Sequence, residues 1–278
     1  MKTSIFVLAA ALCFSSAAAS AQSFAAVSGR PGTLGQPVAR YSTRHLAGGS
    51  ITYFKAAPTC DAQHEQYAQL RQAFATSKPT LVLYEWPDSG IDSTETATIA
   101  RLGIGGYSRF LAQQRGVPAQ RFADPVAEYN YLQASTDAEQ LKLYYLLREV
   151  QRFQVRTGAT KAGAQLAMRQ LIDRSASFLP GTAHVIRTLP ELEAAYRKYC
   201  PAAGKWWELP AGCFNPSAPA SQTSPALAAI NQALGAYRTQ QLRRLATEQA
   251  QAGQRVLVVA TPDYLPATAG QAGQIAAK

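Results

Sequence analysis

The chain has 278 residues, long enough for one large domain or two small ones around a sizeable core. Hydrophobic residues make up 47% and charged residues only 16%, which excludes global disorder, because disordered chains pair low hydrophobicity with high charge. The net charge of +10 arises without a dense basic run, so no nucleic-acid partner is expected, and three His and four Cys leave few imidazoles or thiolates for any one site.

Residues 1–21 read as a secretory signal. Lys2 is the positive start, Ile5 to Phe14 is an apolar stretch, and Ala19-Ser20-Ala21 has the small-x-small form of a cleavage site. A transmembrane anchor needs about 20 apolar residues, and this stretch turns to Ser and Ala too soon. No later segment is long and apolar enough to span a bilayer, so no integral span is expected after cleavage. The expected destination is periplasmic or extracellular, where disulfides persist. Cys200 and Cys213 bracket the loop Pro201–Gly212 and could bridge, leaving Cys60 odd; buried free thiols are the competing reading.

Residues 22–50, rich in Gly, Ser, Ala and Pro, read as a poorly ordered leader. A strand follows at Ile51–Phe54. Asp61–Thr76 is expected to be helical, with Tyr67, Leu70 and Phe74 on one face. Thr80–Tyr84 is an apolar run fit for a strand buried on both faces, ending at Glu85-Trp86-Pro87. Strand, helix and strand in this spacing form a βαβ unit and imply parallel pairing.

A helical middle section follows. Ser93–Gln114 is one helix. Asp124-Pro125 caps a second through Leu132, and Thr136 with Glu139 forms a capping box before a long helix to Arg156. Thr188 and Glu191 repeat that device before Leu192–Tyr199. Pro225–Ala252 is a second long helix, delivering the chain into a third buried strand at Arg255–Val259. The expected fold is α/β, with a mixed or mostly parallel central sheet flanked by helices. It should span residues 51–268, with a tail at 269–278.

Ligands of parallel α/β sheets sit beyond the carboxyl ends of the strands. Those ends carry Lys55-Ala56-Ala57-Pro58, Glu85, and Ala260-Thr261-Pro262-Asp263. Glu85 can be read as a site carboxylate or as a capping or salt-bridge acid at a loop mouth. Gly106-Tyr107-Ser108-Arg109-Phe110 lacks the second glycine of a nucleophile elbow, and Gly103-Ile104-Gly105-Gly106 has no strand leading into it.

The layout resembles the TraB/Tiki superfamily of secreted or membrane-tethered α/β proteins. The resemblance covers about residues 51–265. It rests on Ile51–Phe54, on Val82-Leu83-Tyr84-Glu85-Trp86-Pro87, and on Phe122-Ala123-Asp124-Pro125 leading to Glu128. Leu143–Glu149, Tyr237-Arg238-Thr239 and Val256–Val259 complete it. The resemblance implies metal-dependent hydrolysis, including proteolysis, in active members, with a Gly-x-x-His motif after the first strand, another after the last, and a Glu after the second strand. Here Lys55 and Pro58 stand where the first motif has Gly and His, and Ala260 and Asp263 stand in the second. Only Glu85 remains of the three ligands, and the Arg-Asn pair of the last long helix reads Arg238-Thr239.

Proline offers no ligand atom and one carboxylate is short of the three protein ligands of a catalytic zinc site. The expectation is therefore a pseudoenzyme with no cofactor, whose residual cleft around Glu85, Lys55, Asp263, Arg148, Arg238 and Glu128 takes an unidentified ligand or protein partner. The alternative is a hydrolase whose divalent ion is held by Glu85, Asp263 and His64, with Cys60 close by. A third reading is an interaction module using the aromatic pair Trp206-Trp207 beside Lys205, whose indoles would otherwise anchor the loop on the core. Tyr129, Tyr131, Tyr144 and Tyr145 form a stripe expected to be core. Arg148 with Glu149 is either a helix-orienting pair or part of the cleft.

Overall fold

The structure, a computed structural model, describes residues 41–202, 204–210, 212–216 and 224–265. The signal segment 1–21, residues 22–40 of the leader and the tail 269–278 lie outside the described residues. The expected α/β class is borne out: a five-stranded, mostly parallel sheet is flanked by helices.

The sheet begins earlier than expected. Tyr41–His45 (β1), placed in the leader by composition, is a strand antiparallel to Ser50–Lys55 (β2), with Tyr41 opposite Phe54. Its polar sequence hides it, because an edge strand has only one neighbour and half its side chains face water. The turn between them is closed by Leu46 and Gly49. Gly49 sits where a Cβ would lie 2.3 Å from the carbonyl oxygens of both Ala250 and Gln254.

Helix α1 (Gln66–Ser77) connects β2 to Leu81–Tyr84 (β3). It starts later than its periodicity suggests, because residues 61–65 form turns. β2 and β3 are parallel but not adjacent. Arg255–Ala260 (β5), the last strand in sequence, inserts between them, and Ala119–Arg121 (β4) forms the other edge beside β3. The spatial order is β1-β2-β5-β3-β4. β5 is suited to the centre because it is apolar on both faces. Val256 and Val258 pack on one side with Ile51, Tyr53 and Leu83, and Leu257 and Val259 pack on the other with Phe54, Val82 and Phe74.

Helix α2 (Glu95–Gln114) is broken at Gly103, whose φ of 58° and ψ of −148° lie outside the helical region. The break turns the second half so that Gly105 lies against Trp86, leaving no room for a side chain. Helices α3 (Pro125–Gln133), α4 (Ala138–Thr157), α5 (Lys161–Arg174) and α6 (Leu189–Tyr199) form the middle section. The Asp124 and Thr188 caps form as expected. The Thr136–Glu139 box does not: Asp137 caps α4 through the amides of Glu139 and Gln140, and Glu139 instead pairs with Lys198. Helix α5, absent from the elements expected of the sequence, packs Ala164, Met168 and Ile172 into the same core as α4 and α6.

Helix α7 (Pro225–Gln251) ties the two parts together. Leu227, Ile230 and Leu234 belong to the core of the helical section, while Leu242, Ala246 and Ala250 lie under the sheet. At about 1.5 Å per residue, such a helix is long enough to serve both cores. Arg238 falls where one core ends and the other begins.

Candidate functional site

The carboxyl ends of β3 and β5 are neighbours, so the residues just beyond them meet. Glu85 follows β3 and its Oε2 accepts hydrogen bonds from the Thr261 amide and from Thr261 Oγ1, both at 2.9 Å. Burial pushes the Glu85 carboxyl above its ordinary range. The two Thr261 bonds and the Arg238 charge hold it back in part, and Asp263 adds to the rise. Asp263 lies exposed on the short turn Pro262–Tyr264, and Lys55 ends β2 opposite Ala260.

Beside this strand-end group lies an ion pair of the helical section. Glu128 on α3 is almost fully buried at 3% exposure, an arrangement that requires a partner. Arg238 supplies it as a two-pronged pair, Nε to Oε1 at 2.6 Å and Nη2 to Oε2 at 2.7 Å. The Arg238 Nη1 also donates to the Tyr264 hydroxyl at 3.0 Å. Burial works against the Arg238 charge, but the Glu128 hydrogen bonds and the neighbouring Tyr264 more than offset it and hold the guanidinium firmly protonated. Arg238 thus reaches toward Glu85 through its charge and toward Glu128 through its bonds. Arg238 therefore has a structural duty.

The divalent-ion alternative is not supported by the geometry. Among the described residues, no three His, Cys, Asp or Glu side chains gather where they could hold a metal ion. Glu85 spends one oxygen on Thr261, and His64 Nδ1 accepts from the Gln66 amide at 3.2 Å in the turn before α1. The set Glu85, Asp263 and His64 therefore does not assemble as a metal site. Cys60 is exposed in the loop after β2.

Of the two readings of the cysteines, the structure shows the free thiols. Cys200 and Cys213 are both buried and free, with Cys200 Sγ donating to Ser224 Oγ at 3.2 Å. Burial raises both thiols, Cys213 to about 12. They act as small core residues. Nor do the tryptophans form an exposed platform. Trp206 is buried at 2%, Trp207 is half-buried against the helical core, and their rings meet edge to face at 5.2 Å. The indoles anchor the loop. Of the tyrosine stripe, Tyr129, Tyr144 and Tyr145 are core, whereas Tyr131 is exposed and stacks on Tyr237.

Arg148 pairs along its helix, the first of the two roles weighed for it. Its Nε reaches Glu149 at 3.3 Å, and its guanidinium lies 4.5 Å from the Tyr145 ring centre and 5.5 Å from that of Tyr144. It also lines a cavity of about 240 Å³ between α4 and α7, with Arg152 and Arg238 as further cations. Sequence reasoning points to Arg148 and Arg238 but not to Arg152 and Gln151. Their i+3 and i+4 spacing from Arg148 on α4 is the available signal. The candidate residues therefore divide into a strand-end group and a helical pocket, joined at Arg238.

No family model, curated protein or solved structure matches the chain in comparisons with known proteins.

Proposed function

We propose that the chain is an exported, TraB/Tiki-like protein that has lost the family's metal chemistry and uses the residual cleft to bind a ligand. One observation carries this reading. The strand-end carboxylate that active relatives would aim at a metal is here turned onto Thr261, and the flanking positions offer Pro58 and the exposed Asp263 in place of imidazoles. A group whose oxygen is already hydrogen-bonded within the protein, with no converging donors, is poorly arranged to activate water.

Export is supported by the charge, apolar stretch and Ala19-Ser20-Ala21 site of the amino terminus. No helix among the described residues is long and apolar enough to cross a membrane.

The test is to titrate the purified protein with zinc, cobalt and manganese and to assay peptide and ester hydrolysis. The expected result is no tight metal binding and no hydrolysis above background. Hydrolysis that chelators abolish and Glu85→Ala eliminates would overturn the proposal.

A further inference from the structure

The pocket between α4 and α7 has a chemical bias that the strand-end group lacks. Its wall carries three arginines, Arg148, Arg152 and Arg238, with the amide of Gln151, and among the described residues no acidic side chain lines it. The carboxylates that balance these cations are set behind it. Glu149 accepts from Arg148 and Arg152, at 3.3 and 3.0 Å, and Glu128 takes Arg238. Three of the five N–H groups of Arg238 go to Glu128 and Tyr264.

Arg152 is held below the ordinary guanidinium range by the protein around it, by the Arg148 charge and by Arg238, and Glu149 offsets this only in part. An anion in the cavity would relieve that repulsion.

The rest of the wall is Tyr144, Phe214, Asn215, Pro216 and Leu234. The Tyr144 hydroxyl donates to Asn231 Oδ1 at 2.9 Å, and Asn231 Nδ2 in turn holds the Cys213 carbonyl at 2.7 Å. Phe214 packs edge-on against Tyr144 at 5.5 Å, and Pro216 closes onto α7 at Gly235, where a Cβ would lie 2.9 Å from the proline ring. Such a wall is set before any ligand arrives, which lowers the ordering cost of binding.

We propose that this pocket binds a phosphoryl group, carried by a small monoester whose organic part lies on Phe214 and Pro216. The inference rests on the reading of the cleft as a binding site. Guanidinium forks match phosphoryl oxygens in pairs. The N–H groups of Arg148, Arg152 and Arg238 that are not taken by Glu149, Glu128 or Tyr264 come from two helices and suit a tetrahedral dianion, which offers more acceptor positions than a single carboxylate. The volume of about 240 Å³ admits the phosphoryl group and a small ring.

Calorimetric titration of the intact protein at low salt tests this with inorganic phosphate, phenyl phosphate and acetate. Saturable one-to-one binding is expected, with phenyl phosphate tighter than the free ion and acetate weakest. Equal affinity for the two phosphates would overturn the monoester assignment in favour of the free ion. Arg152→Gln, on an exposed part of α4, is expected to weaken phosphate about tenfold with unchanged thermal unfolding, the loss of one charge-assisted contact. Arg187→Gln, outside the pocket, is expected to change nothing. No saturable binding of either phosphate, acetate binding as tightly as phosphate, or equal losses in the two variants would overturn the proposal. Chelator-sensitive hydrolysis would remove the non-catalytic reading and leave these titrations standing, so the two failures are distinguishable.

Discussion

A carboxylate at the end of a buried strand has two ways of being satisfied: by a ligand or by the protein itself. Glu85 takes the second through Thr261, and its proton affinity records how incomplete the compensation is. Because its folded-state pKa lies above the unfolded one, the folded chain binds that proton more tightly. The contribution to stability is complete below the ordinary carboxyl pKa and is lost as pH rises through the raised value. Glu85→Gln keeps an acceptor for Thr261 and cannot ionise. Urea unfolding at about pH 4 and about pH 7 should show the variant gaining on the native chain as pH rises. A variant that instead loses ground toward neutral pH would contradict this account. Arg238 is a site candidate only through the resemblance to the TraB/Tiki superfamily, and its bond to Glu128, 110 residues away, is not legible in the sequence at all.

Among the elements, α2 and α4 show how local signals are overridden by neighbours. The Gly103 to Gly106 run carries no phosphate loop. Gly103 bends α2 because a Cβ there would lie 2.8 Å from the Thr59 carbonyl, in a backbone region that only glycine enters readily. Gly103→Ala is expected to cost on the order of 2–5 kcal/mol, combining left-handed strain with backbone overpacking. A melting temperature lowered by roughly 5–15 °C would show it. An unchanged melt would mean that α2 straightens at no cost. In α4 the capping residue is Asp137, not Thr136. A cap is chosen by which side chain reaches the first free amides, and Tyr199 and Lys198 of α6 further hold Asp137 and Glu139 in place. The α4 face carrying Arg148, Gln151 and Arg152 is periodic in the sequence, yet nothing local tells a solvated charged face from a pocket wall.

For the molecule as a whole, α7 is the organising element, since its two halves serve two cores and place Arg238 at their junction. Packing around the helical section likewise determines the cysteines. Cys200 and Cys213 are buried there with raised pKa values, and Cys60 lies exposed in the loop beyond β2. Alkylation of the native protein followed by peptide mapping should modify Cys60 and spare Cys200 and Cys213 until denaturant is added. A bridged Cys200–Cys213 peptide in unreduced material would refute the free-thiol arrangement.

Sequence alone determined the three buried strands, most of the helices, the α/β class and the absence of imidazoles at the strand ends. These are properties of local composition and of periods of two and 3.6 residues, which short windows record. Only the tertiary structure decided that the last strand inserts between the first two long ones, and that a polar leader segment becomes an edge strand. It also decided that Trp206 and two of the cysteines pack into the interior, and that three arginines share one cavity. Each depends on pairing or packing between residues far apart in the chain, and that free energy is absent from any window of sequence.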